Sequence, residues 1–213
     1  MCGTCCRKSP VSILPHEDII LKYLAGKLDV EYYSTPGYKV FDNIRKSYIA
    51  FSYVMHLVDD KCPFLSSDNK CLINDIYKPL ICRSYPYVPK YVKYNIIWED
   101  RLIIPEVEYG ISIHCPVIEM YKSRFNNTGE NEYLVKRFLN KEYRNAMEME
   151  YLRHLLLSYL SNLWRRNIVK LVDEDKPYSH VINLYDVIRE YFPEIPFIIG
   201  LHRVLSNIGE IHG

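Results

Sequence analysis

The cysteines constrain this chain more than any other feature. All seven lie within the first 115 of 213 residues: Cys2, Cys5 and Cys6 in the opening Cys2-Gly-Thr-Cys5-Cys6, then Cys62, Cys71, Cys82 and Cys115. Thiols spread evenly along a chain read as small buried hydrophobes. Crowded into one half, with Cys2 and Cys5 at C-x-x-C spacing, they point to convergence on something soft and electrophilic. That reading requires the fold of the first half to bring distant loops together around sulfur.

The bulk properties narrow the setting. Lys and Arg number 27 against 26 Asp and Glu, so the basic excess of a large nucleic-acid footprint is missing and no nucleic-acid partner is expected. No apolar run reaches the roughly 18 residues of a membrane span, so no membrane association is expected either. Arg7-Lys8 directly follows the first cysteines where a signal peptide would carry its apolar core, which makes the cytoplasm the expected location. Thiols there stay reduced, and a cysteine cluster reads as metal-binding or redox-active. The chain has no Gln, 20 Tyr and abundant Ile, Lys and Glu. This composition is thermophile-like, although an AT-rich genome produces part of the same bias. Since cytosolic proteins of hyperthermophiles carry disulfides, pairing of some thiols stays open.

Patterning predicts an α+β fold: a small Cys-rich metal-binding α+β core over residues 1–120, followed by an α-helical C-terminal half over 121–213 packed on it. A Cys-rich loop over 1–12 leads to a helix from Pro15 to Leu24, with Pro at the first position and Glu17 and Asp18 at the positive end of the dipole. Thr35-Pro-Gly37 marks a turn, and Ser47–Leu57 reads as a strand pair or buried strand. Cys62–Cys71 is a polar loop. A short helical turn interrupted by Pro79 covers Tyr77–Cys82. Tyr91–Ile97 and Arg101–Ile113 read as strands joined at Glu99-Asp100, with Pro105 demoting part of the second to an edge or bulge. From Glu130 to Val172 the pattern is helical, Leu152, Leu155, Leu156, Tyr159, Leu160 and Leu163 recurring at three-and-four spacing. Its length predicts a break near 140–147, and Asn127 offers an N-cap. Further helices are expected from just after Ser179 to Phe192 and from Phe197 to Asn207.

Thiolates hold zinc tetrahedrally at about 2.3 Å and also hold iron–sulfur clusters. Cys2 and Cys5 can grip one centre from a tight turn. Adjacent side chains diverge, so Cys6 is expected to serve a second site or to stay a free thiol. One four-thiolate centre leaves three cysteines over. Two closed zinc sites need eight ligands, which seven cysteines and one histidine supply, with His114 the obvious candidate and His16 and His56 weaker ones. Zinc modules usually pair two short knuckles, and only one is present, so dispersed thiols lean towards an iron–sulfur pocket, with zinc close behind. Arg83, beside Cys82, is a candidate cofactor-binding residue: a cation next to a thiolate cluster offsets its charge and raises its potential. It could equally hold an anionic substrate or pair with a surface acid. The Cys2–Cys5 pair mimics a thioredoxin motif, but no strand can precede position 2. Trp164-Arg165-Arg166 reads as a solvated helix end rather than a phosphate contact. No Gly-rich phosphate loop or G-x-S-x-G is found.

The ordered elements resemble the CxxCxxCC zinc- or iron-chelating domain, the YkgJ-like cysteine-cluster family. They are Cys2-Gly3-Thr4-Cys5-Cys6, Asp18-Ile19 in the following helix, Cys62-Pro-Phe64-Leu65, Cys71-Leu-Ile73 with Ile76-Tyr77, Pro79-Leu-Ile-Cys82-Arg83-Ser-Tyr85-Pro86, and Cys115-Pro116. Lys78-Pro79 stands where the family has Arg-Pro, and the first cysteine of the family's opening is not found. The resemblance implies metal chelation over residues 2–116, with Cys2, Cys5, Cys6, Cys62, Cys71, Cys82 and Cys115 as ligands. The partner it implies is a metal ion or cluster. The expectation of a redox-active iron–sulfur protein competes with that of a zinc-organised interaction module whose helical half docks a protein partner. Some relatives are linked to flagellin lysine methylation, which by analogy makes a methyl-transfer enzyme a third reading, although no S-adenosylmethionine motif is recognisable.

Overall fold

The computed structural model describes residues 3–7, 10–120, 132–174, 176–177 and 180–201. A 3-10 turn at Cys5–Arg7 opens the described chain, followed by β1 (Val11–Ile13) and α1 (Pro15–Leu28). α1 starts where the sequence signals it. Pro15 occupies the first turn, and Glu17 folds back so that its Oε2 accepts from the Leu14 N–H at 2.9 Å, one of the donors a helix start leaves free. It ends at Asp29 in the left-handed region (φ 51°).

Four short strands follow: β2 (Ser34–Pro36), β3 (Lys39–Asp42), β4 (Ser47–Ala50) and β5 (Tyr53–Met55). The predicted strand pair over 47–57 is therefore two strands, and they enter different sheets. β5 lies between β1 and β2, antiparallel to both. β3 and β4 form the centre of a sheet in the order β8 (Leu171–Val172), β3, β4, β9 (Val181–Asn183). The turn between β3 and β4 is held by buried Asp42, whose Oδ1 accepts from the N–H groups of Ile44 (3.1 Å) and Lys170 (2.8 Å).

The next segment carries the cysteine loops and then α2 (Leu80–Ser84), which begins immediately after Pro79. The proline starts this helix instead of interrupting it, since a missing N–H costs nothing at a helix entry. β6 (Tyr87–Ile97) and β7 (Leu102–Ile111) make a long antiparallel hairpin. Its irregularity falls between Pro89 and Tyr91; Pro105 pairs in register with Tyr94. Among the described residues this hairpin is a two-stranded sheet, so Pro105 sits on an edge, where a missing donor is tolerated.

The second half contains α3 (Pro116–Met120), α4 (Glu132–Phe138), α5 (Asn140–Arg165), α6 (Leu184–Tyr191) and α7 (Ile195–Ile198). The expected break falls at Leu139, just before the predicted window, and α5 ends at Arg165 rather than near Val172. Two strands were not anticipated: β8 (Leu171–Val172) and β9 (Val181–Asn183). β8 pairs antiparallel with β3, and β9 parallel with β4. Their brevity hid them from a periodicity reading. Asn183 closes β9 and caps α6, its Oδ1 accepting from the Tyr185 N–H at 2.8 Å. The helix expected just after Ser179 starts only at Leu184, since 181–183 is strand; the expected N-cap at Asn127 and the last helix beyond residue 201 lie outside the described residues.

A single apolar cluster joins the two halves, with Leu21 and Leu24 of α1, Phe51, Phe64, and Leu156 and Leu160 of α5 all buried in it. The α+β class stands, with strands mainly in the first half and helices dominating the second.

Candidate metal centre

The cysteine loops are tied together by backbone before any sulfur is considered. Gly3 is buried with φ +68°, and a Cβ there would meet the Asn69 side chain at 3.3 Å; a residue without a Cβ suits both constraints. The turn it starts is closed by the Cys6 N–H donating to the Gly3 carbonyl at 3.1 Å. The Cys62 N–H then donates to the Cys6 carbonyl at 2.7 Å, and the Leu65 N–H to the Cys62 carbonyl at 2.9 Å. A bridge between Leu65 and Cys71 completes the loop. Arg7 Nη2 donates to Asn69 Oδ1 at 2.6 Å, fastening the opening turn to the same loop.

Glu17 anchors the other side. It is fully buried, and besides the Leu14 contact its Oε1 accepts from the Leu80 N–H at 2.7 Å and the Tyr77 hydroxyl at 3.1 Å. α1 is thereby stitched to the start of α2, the helix that carries Cys82. Burial raises the Glu17 pKa, opposed by these hydrogen bonds and by the charge of Arg153. Cys115 follows β7 and is 8% exposed, its N–H bonded to the Ser112 carbonyl at 3.3 Å.

Cys5, Cys6, Cys62, Cys71, Cys82 and Cys115, the six described cysteines, line one cleft of about 730 Å³, with His114 and Lys78 on its wall. Each is a free thiol. Cys2 lies outside the described residues. Sequence reasoning expected Cys5 and Cys6 to diverge, and here the structure corrects it: their sulfurs are 3.9 Å apart. In a 3-10 turn successive residues rotate by about 120°, and rotamer choice brings the two thiols back to one side. The spacing approximates the edge of a zinc–thiolate tetrahedron, about 3.8 Å for bonds of about 2.3 Å.

The thiols act on one another. The Cys5 thiol is pushed up by its hydrogen bond with Cys6 and by burial, with Lys78 partly opposing. Cys6 is drawn down by Cys5, but Cys62 and burial outweigh this and leave it at about 11. Burial raises Cys71. Burial also raises Cys82, reinforced by Cys5 and Cys6. Crowded thiols of this kind hold their protons until a cation takes the protons' place. The donor chemistry therefore fits a soft metal. Among the described residues, however, no group of three or more His, Cys, Asp or Glu side chains stands at ion-binding spacing.

Other sequence candidates fall elsewhere. Arg83 reaches towards Glu148, at 3.6 Å, with its side chain partly exposed; the cations that line the cleft are Lys78, Lys90 and Arg153. Lys78 lowers the pKa of Cys5, Cys71 and Cys82, the electrostatic role expected of Arg83. His56 Nε2 is hydrogen-bonded to Thr35 Oγ1 at 2.8 Å. His16 is buried in α1, and burial drops its pKa to about 4. Trp164 packs edge-to-face on Trp98 at 5.4 Å, with Arg165 and Arg166 exposed at the helix end. Arg153 is the residue that sequence reasoning missed. It lies one position after Leu152 in the apolar repeat of α5, a repeat that singles out the leucines and gives no signal for an inward-facing arginine.

Residues 1–104 match a family model, CxxCxxCC, described as "Putative zinc- or iron-chelating domain". This is the family that the cysteine motifs resemble, and the match supports metal binding in general. Neither a curated protein nor a solved structure matches the chain. No helix among the described residues is long and apolar enough to cross a membrane.

Proposed function

We propose, taking the match of residues 1–104 to a zinc- or iron-chelating family as the premise, that the thiol-lined cleft binds an iron–sulfur cluster and that the protein is redox-active through it. The observation that supports this most is the gathering of six thiols around one cleft, from the opening turn, the 62–71 loop, α2 and the segment after β7. A pocket assembled from several segments suits a centre larger than one ion. Such a centre would supply one-electron chemistry. The chain's own residues hold the thiols in place through the Gly3 turn, the Cys6–Cys62 backbone bond and the Glu17 clamp on Leu80, while Lys78 offsets negative charge beside Cys5, Cys71 and Cys82.

A second reading is zinc in a structural role, favoured by the 3.9 Å between the Cys5 and Cys6 sulfurs. Anaerobic purification with metal and acid-labile sulfide analysis separates the two. Iron and sulfide in equal amounts, with visible absorption bleached by dithionite, support the cluster. A colourless protein with stoichiometric zinc supports the second reading, and a protein that takes up neither metal rejects both. Cys82→Ser and Cys6→Ser are each expected to lower metal content sharply. Full metal retention in both variants contradicts a shared centre.

A further inference from the structure

The cleft contains a charge that the thiols do not explain. Arg153, on α5, is 5% exposed and lines the same cleft. Its Nε and Nη1 are buried and have no hydrogen-bond partner. A guanidinium is effectively always charged, and burying its donors unpaired is expensive. Glu17 feels the charge of Arg153, which partly opposes the rise that burial imposes on its pKa, but its oxygens are committed to Leu14, Tyr77 and Leu80. Tyr94 and Tyr109 also feel the Arg153 charge. Tyr109 directs its hydroxyl to the Ala146 carbonyl at 3.1 Å. Glu150, on the same helix, approaches Tyr109 and His154. The unmet donors of Arg153 therefore lack an acceptor among the described residues.

The rest of the cleft indicates what that acceptor belongs to. Met55, Leu57, Phe64, Ile73, Ile81 and Val92 give it an apolar lining, and about 730 Å³ falls in the range of small-molecule sites. We propose that the cleft binds an organic monocarboxylate, with its apolar body against these side chains and its carboxylate held by Arg153. A planar carboxylate with two acceptor oxygens matches a planar guanidinium. Of the three cations on the cleft wall, Lys90 is paired with Glu108 at 3.0 Å and Lys78 acts on the thiols, so Arg153, partly balanced by Glu17, suits a single negative charge better than a phosphate dianion. The proposal deepens the reading of the cleft as the working site by naming its substrate class, and it rests on that reading.

Calorimetric titration of the full chain, metal-loaded as isolated, with hexanoate, 1-hexanol and inorganic phosphate provides the test. Hexanoate is expected to bind about tenfold to a hundredfold more tightly than 1-hexanol, the size of one charge-assisted hydrogen bond. Arg153→Met should abolish that preference, and Arg153→Lys, which keeps the charge but loses the fork, should retain only part of it. If Arg153→Met does not fold, the wild type and Arg153→Lys decide. Equal wild-type affinity for hexanoate and 1-hexanol, tighter binding of phosphate, or an undiminished preference in Arg153→Lys overturns the proposal. A chain that takes up no metal yet keeps its hexanoate preference supports this site and rejects the metal reading; a metal-loaded chain without the preference does the reverse.

Discussion

Single residues set the geometry of the cysteine loops. Gly3 combines a positive φ with a tight contact to Asn69. Gly3→Ala should cost about 1 kcal/mol of stability and weaken metal uptake along with it, as read by denaturant titration and metal analysis. His16 makes a prediction with a definite sign. Burial lowers its pKa from 6.5 to about 4, so the native state resists a proton that the unfolded chain accepts. Its stabilising contribution is complete above about pH 6.5 and is lost as pH falls towards 4, by up to about 3 kcal/mol. Glu17, raised by burial, works in the opposite direction, so the informative quantity is the difference between wild type and His16→Leu across that window. The wild type should lose stability faster on acidification; parallel curves would show that His16 is not buried as a neutral ring. The cysteines were legible at this scale because their chemistry is carried by identity and spacing. The convergence of Cys5 and Cys6 was not, since it depends on rotamers within one 3-10 turn. Arg153 was illegible for a related reason: nothing in a charged residue's identity announces that a helix will turn it inward.

At the level of elements, the β6–β7 hairpin is fastened to α5 by the Tyr109 hydroxyl on the Ala146 carbonyl, by Arg101 on the Trp164 carbonyl and by Ser161. Ser161 Oγ accepts from the Ile103 N–H at 3.1 Å and donates to the Leu157 carbonyl at 2.8 Å, entirely buried. Ser161→Ala leaves the Ile103 N–H unsatisfied and should cost about 1–3 kcal/mol. Amide exchange at Ile103 should speed up more than at Ile97, on the neighbouring strand; equal acceleration would mean that the serine merely fills space. α1, the hairpin and the long helix could be read from sequence because each is long or clearly capped. β8 and β9 could not, being two and three residues long and defined by partners far away in sequence. The first turn of the helix expected after Ser179 yielded to β9 because β4 offered Val181–Asn183 an edge to pair with, and Asn183 then became the cap of α6.

At the scale of the whole molecule, the predicted division near residue 120 is crossed by the sheet β8-β3-β4-β9, which takes two strands from each side. The Asn183 side chain also donates to the Pro15 carbonyl at 2.9 Å. We therefore expect the full chain to unfold in one transition, with fluorescence of Trp98 and Trp164 and far-UV dichroism coinciding, whereas a fragment covering 1–120 should lack a cooperative transition. Two separated midpoints in the full chain would show independent units. The pairing of Tyr48 with Val181 carries a further consequence for how the molecule is made. Synthesis runs from the N-terminus, and β4 emerges long before its parallel neighbour exists. Until residues 181–183 have emerged, the nascent protein presents an uncovered strand edge open to wrong neighbours, and for much of that time its thiols exist without the long helix that brings Arg153 to their cleft.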